Sequence, residues 1–180
     1  MPQFNRLLIT GAAGNLGREL RRGLAPLAAS LRLTDRSEMA PPQAHEETLT
    51  CELGDFDAVM DVVEGCDAIV HFGAAPVERP WAEILESSIK GGYNVYEAAR
   101  RHGVKRIVYA SSIHAVGYER RETGADTDTP HNPNSLTASP SVSSKSWQRC
   151  ISTSSASSRP ACASTPVIRS RPIGAISPPG

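Results

Sequence analysis

A chain of 180 residues with 39% hydrophobic residues is long enough for one domain with a real core, and its formal net charge of zero argues against a nucleic-acid binder. Four cysteines (Cys51, Cys66, Cys150, Cys162) show no CxxC spacing and five histidines form no metal-ligand pattern, so reduced thiols in a cytoplasmic protein without a metal site are expected. No stretch is apolar over the length needed to span a bilayer, and because the chain enters a core strand within a few residues no signal peptide is expected.

In chain order, residues 4–10 read as a buried strand that runs into Gly11-Ala12-Ala13-Gly14-Asn15-Leu16-Gly17, and Asn15 to Leu27 continues as a helical pattern. Residues 31–34 form a second strand closing in Asp35, and residues 47–50 a third. Asp55 suits the cap of a helix carrying Phe56, Val59 and Val62. A fourth strand spans residues 68–72. The longest helical pattern runs from Glu83 to His102, with Pro80 suited to its entry and Gly103 to its stop. A fifth strand spans residues 105–110. Strands alternating with helices imply an α/β, Rossmann-like doubly wound parallel sheet, whose binding crevice lies outside the carboxyl ends of the strands.

The glycine run is placed to act there as a cofactor loop. Gly11 permits a tight turn, Gly14 lets backbone N–H groups approach a pyrophosphate, and Gly17 lets the helix pack closely on the sheet. The helix N-terminus then faces the anion. Asp35 follows Gly17 by 18 residues, near the roughly 20 expected for a carboxylate that accepts a ribose 2′-hydroxyl hydrogen bond. Arg36 beside it raises the question of a 2′-phosphate, but Asp35 would repel one, so NAD is favoured over NADP. Glu52-Leu53 reads either as an adenine cap or as a polar strand terminus. The small residues of His71-Phe72-Gly73-Ala74-Ala75 allow a cofactor to lie against the backbone, or mark a tight turn. At the mouth of the fifth strand, Ser111, Ser112 and His114 offer two hydroxyls and an imidazole. A serine there can hydrogen-bond a substrate oxygen as its proton leaves. The alternatives are a turn-forming Ser111 and a surface His114.

The composition breaks after Leu136. All 19 acidic residues lie at or before Asp128, while five basic residues (Lys145, Arg149, Arg159, Arg169, Arg171) follow Leu136, giving net minus five before the break and plus five after it. Beyond Leu136 there is no Leu, Phe, Tyr or Met, and Ser fills 13 of 44 positions. Such a segment cannot build a core, and a poorly ordered tail is expected.

The TGAAGNLG loop, Asp35, the HFGA strand end, the YNVYEAAR helix and the VYASSIHAVGY run resemble an extended short-chain dehydrogenase/reductase over roughly residues 6–136. Val77-Glu78-Arg79-Pro80, SSIHAVGY and Pro130-His131-Asn132-Pro133 narrow the resemblance to the uronate dehydrogenases within that family. The resemblance implies NAD-dependent oxidation of a hexuronic acid, galacturonate or glucuronate, at C1 to the aldarolactone, in an enzyme able to form a homo-oligomer. It puts the catalytic serine on Ser112 and neighbouring substrate contacts on Ser111, Ile113 and His114. It also extends the cofactor contacts along Ala13, Asn15, Leu16, Phe72, Gly73 and Ala74 to Ser88 on the long helix. Ser88 stands where the family has an asparagine, and Pro76 where it has a substrate-contacting serine.

A larger departure follows. The family's Tyr-x-x-x-Lys motif, in which tyrosine is the general base and lysine lowers its pKa, would begin just after Leu136. Thr137 and Ser141 occupy those two positions. Thr-Ala-Ser-Pro-Ser can be encoded ACG GCG TCT CCA AGC; one T placed before it gives TAC GGC GTC TCC AAG, or Tyr-Gly-Val-Ser-Lys. The same shift across residues 154–164 can yield Lys-Phe-Gly-Ile-Glu-x-Ala-Cys-Leu-Arg-Ile, a helix exit and a sixth strand. Residues 1–136 are therefore expected to be an incomplete NAD-binding domain, and residues 137–180 a frameshifted reading, with a natural Ser/Pro/Arg-rich tail as the alternative. Two other function classes stay open: a sugar-nucleotide epimerase or reductase of the same superfamily, and a non-catalytic dinucleotide-binding module.

Overall fold

Leu7, Leu8 and Ile9 point to alternate faces of the first strand and are almost wholly buried on both, so this segment forms the centre of a sheet covered on two sides. The computed structural model describes residues 2–75, 77–120, 122, 124–126 and 128–138. Of the expected tail, Thr137 and Ala138 continue from Leu136 in a 3-10 turn with Ala138 buried, while residues 139–180, with Ser141, Cys150 and Cys162, lie outside the described residues, as do Pro76 and the side chain of Thr137. Strands β1 (Phe4–Thr10), β2 (Ala28–Asp35), β3 (Glu46–Thr50), β4 (Ala68–His71) and β5 (Arg106–Tyr109) form one parallel sheet in the order β3-β2-β1-β4-β5. From β1 the chain builds outward to β3, then returns to the other side of β1 for β4 and β5. The switch point thus falls between β1 and β4, where an open α/β sheet leaves a crevice at the strand ends.

Helix α1 (Asn15–Leu24) covers one face: Leu20 and Leu24 pack on Leu7, Ile9, Leu31, Leu33 and Val70. Helices α2 (Phe56–Val63) and α4 (Gly91–Arg101) cover the other, where Val59, Val63, Val95 and Ala99 meet Leu8, Ile69, Ile107 and Tyr109. Each fully buried Leu, Ile or Val contributes roughly 1.5–3 kcal/mol of transfer free energy. Asp55 caps α2 as its sequence suggests, its Oδ1 accepting from the backbone N–H groups of Asp57 (3.1 Å) and Ala58 (3.2 Å). Gly103, at φ +69°, ends α4 in the left-handed conformation.

Strands β3, β4 and β5 differ from their expected ranges by one residue at one or both ends, and three elements differ by more. Helix α1 ends at Leu24, and Ala25–Leu27 forms a 3-10 turn containing Pro26, which lacks the N–H a longer helix would need. Strand β2 starts at Ala28, earlier than its apolar run, because Ala28 and Ser30 pair with Phe4 and Arg6 on β1. The single helix expected from Glu83 to His102 is instead α3 (Trp81–Glu83), a π-helical segment Ile84–Lys90, and α4. Here the Ser87 hydroxyl donates to the Glu83 carbonyl, four residues back, at 2.7 Å, which competes with the regular backbone bond and accompanies the widened turns.

A charged residue hidden in an apolar strand joins two layers. Arg32 is buried, pairs with Glu47 (2.8 Å), and donates through Nη1 to the Asp61, Val62 and Glu64 carbonyls at the C-terminal end of α2. Its positive charge lies where the helix dipole is negative. Among the described residues, no helix is long and apolar enough to cross a membrane, and no group of three or more His, Cys, Asp or Glu could hold a metal ion.

Candidate functional site

The chain leaves β1 through Gly11, whose φ of +73° and position against β4 both exclude a side chain: a Cβ there would stand 2.7 Å from the Phe72 carbonyl carbon. The Gly14 N–H donates to the Gly11 carbonyl (3.1 Å), closing the turn. The Ala13 N–H donates to Asp35 Oδ2 at 3.0 Å, while Asp35 Oδ1 accepts from the Ser37 N–H, also at 3.0 Å. Loop and acid are thus bonded to one another at the carboxyl ends of β1 and β2. A Cβ on Gly17 would overlap the Gly11 carbonyl, so this glycine is required by packing within the protein. At Gly14 the one neighbour of a Cβ would be the Gly11 carbonyl oxygen at 3.3 Å, with open space beyond. Among the described residues no side chain caps α1, and its first turn carries no acid, so its leading N–H groups face that space.

A buried network fixes the opposite wall. Thr10 Oγ1 accepts from the N–H groups of Gly73 (3.0 Å) and Phe72 (3.2 Å), the latter shared with the Thr10 carbonyl (3.2 Å), and is hydrogen-bonded to His71 Nδ1 at 2.7 Å. Burial pushes this imidazole down to about 4, keeping it neutral at physiological pH.

These elements enclose a cleft of about 540 Å³. Gly11, Ala13, Gly14, Asn15, Leu16 and Gly17 line one side; Asp35, Arg36, Glu52 and Leu53 line the end beyond β2 and β3; and Phe72, Gly73 and Ala74 line the β4 side. Ala75, at the end of the small-residue run after β4, lines it too, and the sequence reading missed Thr34, Ser37, Glu38, Cys51, Arg79, Glu83 and Ser87, which also line it. Ser37 and Glu38 were signalled by their nearness to Asp35, whereas Glu83 and Ser87 arrive from the long helical run and carry no local signature. Burial raises the Cys51 thiol to about 11, so it stays protonated in this wall.

Ser88 is buried behind the cleft lining, where its Oγ accepts from the Ala75 N–H at 2.9 Å. Ser111, Ser112, Ile113 and His114 lie beyond β5 and do not line the cleft. Ser112 caps a 3-10 turn at Ile113–Val116, its Oγ accepting from the His114 N–H at 3.1 Å. The Asn134 amide nitrogen donates to the Gly117 carbonyl (3.2 Å), which turns its oxygen toward His114 Nδ1 at 2.8 Å. The Pro130-His131-Asn132-Pro133 run packs on this turn through Asn132 N–H to Ala115 carbonyl (2.8 Å) and Tyr118 N–H to Asn132 carbonyl (3.1 Å).

Known proteins share this arrangement. Uronate dehydrogenase of Pseudomonas syringae pv. tomato is 53% identical over 133 residues, covering 73% of this chain and 48% of that protein. The crystal structure of uronate dehydrogenase from Agrobacterium tumefaciens superposes with a TM-score of 0.80 at 45% identity, over 83% of this chain and 56% of that one. A mutant of the same enzyme complexed with NAD gives 0.78 at 46% identity, over 81% of this chain and 55% of that one. The chain spans about half the length of the curated relatives it matches. A model of the NAD dependent epimerase/dehydratase family matches residues 7–138, which contain the glycine turn, Asp35, the β4 end and the Ser112 turn, and the chain belongs to that family.

Proposed function

We propose that this chain is the dinucleotide-binding half of an NAD-dependent hexuronate dehydrogenase, residues 1–136 forming an incomplete NAD-binding domain. The observation that carries this reading is the meeting of Asp35, the Ala13 N–H and the open space before Gly14 at the uncapped start of α1. These residues fit a dinucleotide. A carboxylate has about four lone-pair sites, and Asp35 uses two on backbone N–H groups, leaving acceptors for ribose hydroxyls. The leading N–H groups of α1 offer donors and the positive end of a helix dipole to a pyrophosphate. Identity of 53% with uronate dehydrogenases supports the choice of substrate class. When bound, NAD supplies the hydride acceptor.

In this reading Ser111, Ser112, Ile113 and His114 meet the uronate, and the Ser112 hydroxyl holds the C1 oxygen as its proton departs. A serine in this position cannot take that proton. That task needs a base with a pKa near the working pH, which a lysine-assisted tyrosinate provides. Thr137 and Ser141 stand in those places, and neither is such a base. The chain as written is therefore a binding module without dehydrogenase turnover, and residues 137–180 are a shifted reading of a longer enzyme.

The test is an assay of galacturonate and glucuronate with NAD on this chain and on a frame-restored chain, alongside equilibrium dialysis with NAD. The expected result is NAD binding by both and turnover by the restored chain alone. Robust turnover by the chain as written would show that the proton goes elsewhere; an inactive restored chain would overturn the substrate assignment.

A further inference from the structure

The wall of the cleft formed by Glu52 and Leu53 lies in the turn between the end of β3 at Thr50 and the start of α2 at Phe56, closed by the Asp55 N–H donating to the Glu52 carbonyl at 2.9 Å. The Leu53 carbonyl is held by a residue farther along the chain. Asn94, on α4, is 4% exposed, and its Nδ2 donates to the Leu53 carbonyl at 2.8 Å across 41 residues of sequence. Gly91, one turn earlier on the same helix, leaves no room for a side chain: a Cβ there would stand 2.7 Å from the Leu53 Cβ. On the other side a Cβ at Gly73 would stand 2.6 Å from Leu53 Cδ1. Leu53 is thus bounded by α4 and by the β4 strand end, and its carbonyl is tied to a buried amide.

Because β3 pairs with β2 and Thr50 lies in register with Asp35, the Glu52–Leu53 wall belongs to the Asp35 end of the cleft. We propose that Asn94 is a positioning residue for the adenosine half of the dinucleotide, acting through the Leu53 carbonyl, with Gly91 and Gly73 forming the socket that receives Leu53. This rests on the cofactor reading of the cleft. Removing the amide leaves a part-buried carbonyl without its donor, and the segment then shifts to recover a partner.

Two substitutions perturb Leu53 by opposite means. Asn94→Leu keeps much of the volume and removes the donor. Gly91→Ala keeps the hydrogen bond, drives a methyl group at Leu53, and raises helix propensity. The full-length chain and both variants are titrated with NAD and with AMP, and amide hydrogen exchange is followed at Leu53 and Gly54.

In Asn94→Leu, the dissociation constants for NAD and AMP are expected to rise by the same factor, about tenfold, with faster exchange at Leu53 and Gly54. Gly91→Ala should weaken both ligands in the same proportion even where its melting temperature is kept, a pattern that loss of fold stability does not produce. Should Asn94→Leu fail to fold, Gly91→Ala decides alone. Unchanged affinity for both ligands, or weaker NAD with unchanged AMP, overturns the proposal while leaving the cofactor reading intact. A parent chain that binds neither ligand overturns the cofactor reading and the proposal with it.

Discussion

Asp35 has two duties that a substitution separates only in part. It accepts from the Ala13 and Ser37 N–H groups, and in the proposed function it also accepts from the adenosine ribose. Asp35→Ala is expected to weaken NAD binding by roughly ten- to a hundredfold, the value of hydrogen bonds to a charged group, and to narrow the gap to NADP because the charge that repels a 2′-phosphate is gone. Titration with both cofactors checks this, and unchanged relative affinity would count against the assignment. His71 gives a pH signature. In the unfolded chain its imidazole takes up a proton near 6.5, in the fold only near about 4. Between those values the unfolded state binds more protons, so stability falls as pH falls, by about 3 kcal/mol in all. Denaturant melts from pH 7 to pH 4 should show this slope, and His71→Asn, which keeps a polar partner for Thr10, should flatten it. The Glu97 carboxyl, held down to about 2 chiefly by its hydrogen bond from Arg100, contributes a separate loss only below its ordinary value of 4.5.

At the scale of elements, the glycine loop contains two different requirements that its spacing does not distinguish. Gly17 is fixed by the fold, since a Cβ would meet the Gly11 carbonyl and stand 2.7 Å from Ala12 Cα. Gly17→Ala should destabilise the domain by about 1–3 kcal/mol, as overpacking does, measurable as a lower denaturant midpoint. Gly14 borders open space and has an ordinary φ of −68°. Gly14→Val should therefore keep most of the stability but lose affinity for NAD and NADP alike, because its side chain enters the cleft whatever the 2′-substituent. Tight binding retained in that variant would mean the pyrophosphate does not lie there. Arg32 links β2 to α2 in a similar way: it satisfies carbonyls that a helix end leaves open, and its pairing with Glu47 offsets the cost of burying its charge.

For the whole molecule, the decisive expectation concerns the join at Leu136. In the proposed function, the glycine turn, Asp35 and the β4 end that meet the dinucleotide precede it and the proton acceptor should follow it. Reading the nucleotide sequence around the Leu136 codon tests the shifted frame, and a gene without an overlapping dehydrogenase-like reading would rule it out. In the restored enzyme, Ser112→Ala should lower turnover by roughly a hundred- to a thousandfold, the usual cost of one lost donor to a developing oxyanion. The uronate and NAD assay measures it. A smaller effect would leave Ser112 with its structural role of capping the turn at Ile113–Val116.

By itself the sequence determined the parallel sheet, the strand positions, the Asp55 cap, the stop at Gly103 and the glycine turn facing Asp35. These depend on local periodicity, on glycines that a turn requires, and on a spacing of 18 residues fixed by one βαβ crossover. Tertiary structure decided what depends on partners distant in the chain. Arg32 gives no warning that it serves the end of α2, because its partners lie 15 to 32 residues away. Ser87 and Ser88 break a helical pattern that looks regular, because one hydroxyl bonds back within the helix and the other accepts from Ala75 in the loop after β4. Asn94 reads as a polar residue on a helix until the fold brings the Leu53 carbonyl to its amide. A buried polar group is intelligible only through the group that satisfies it, and periodicity does not identify that group.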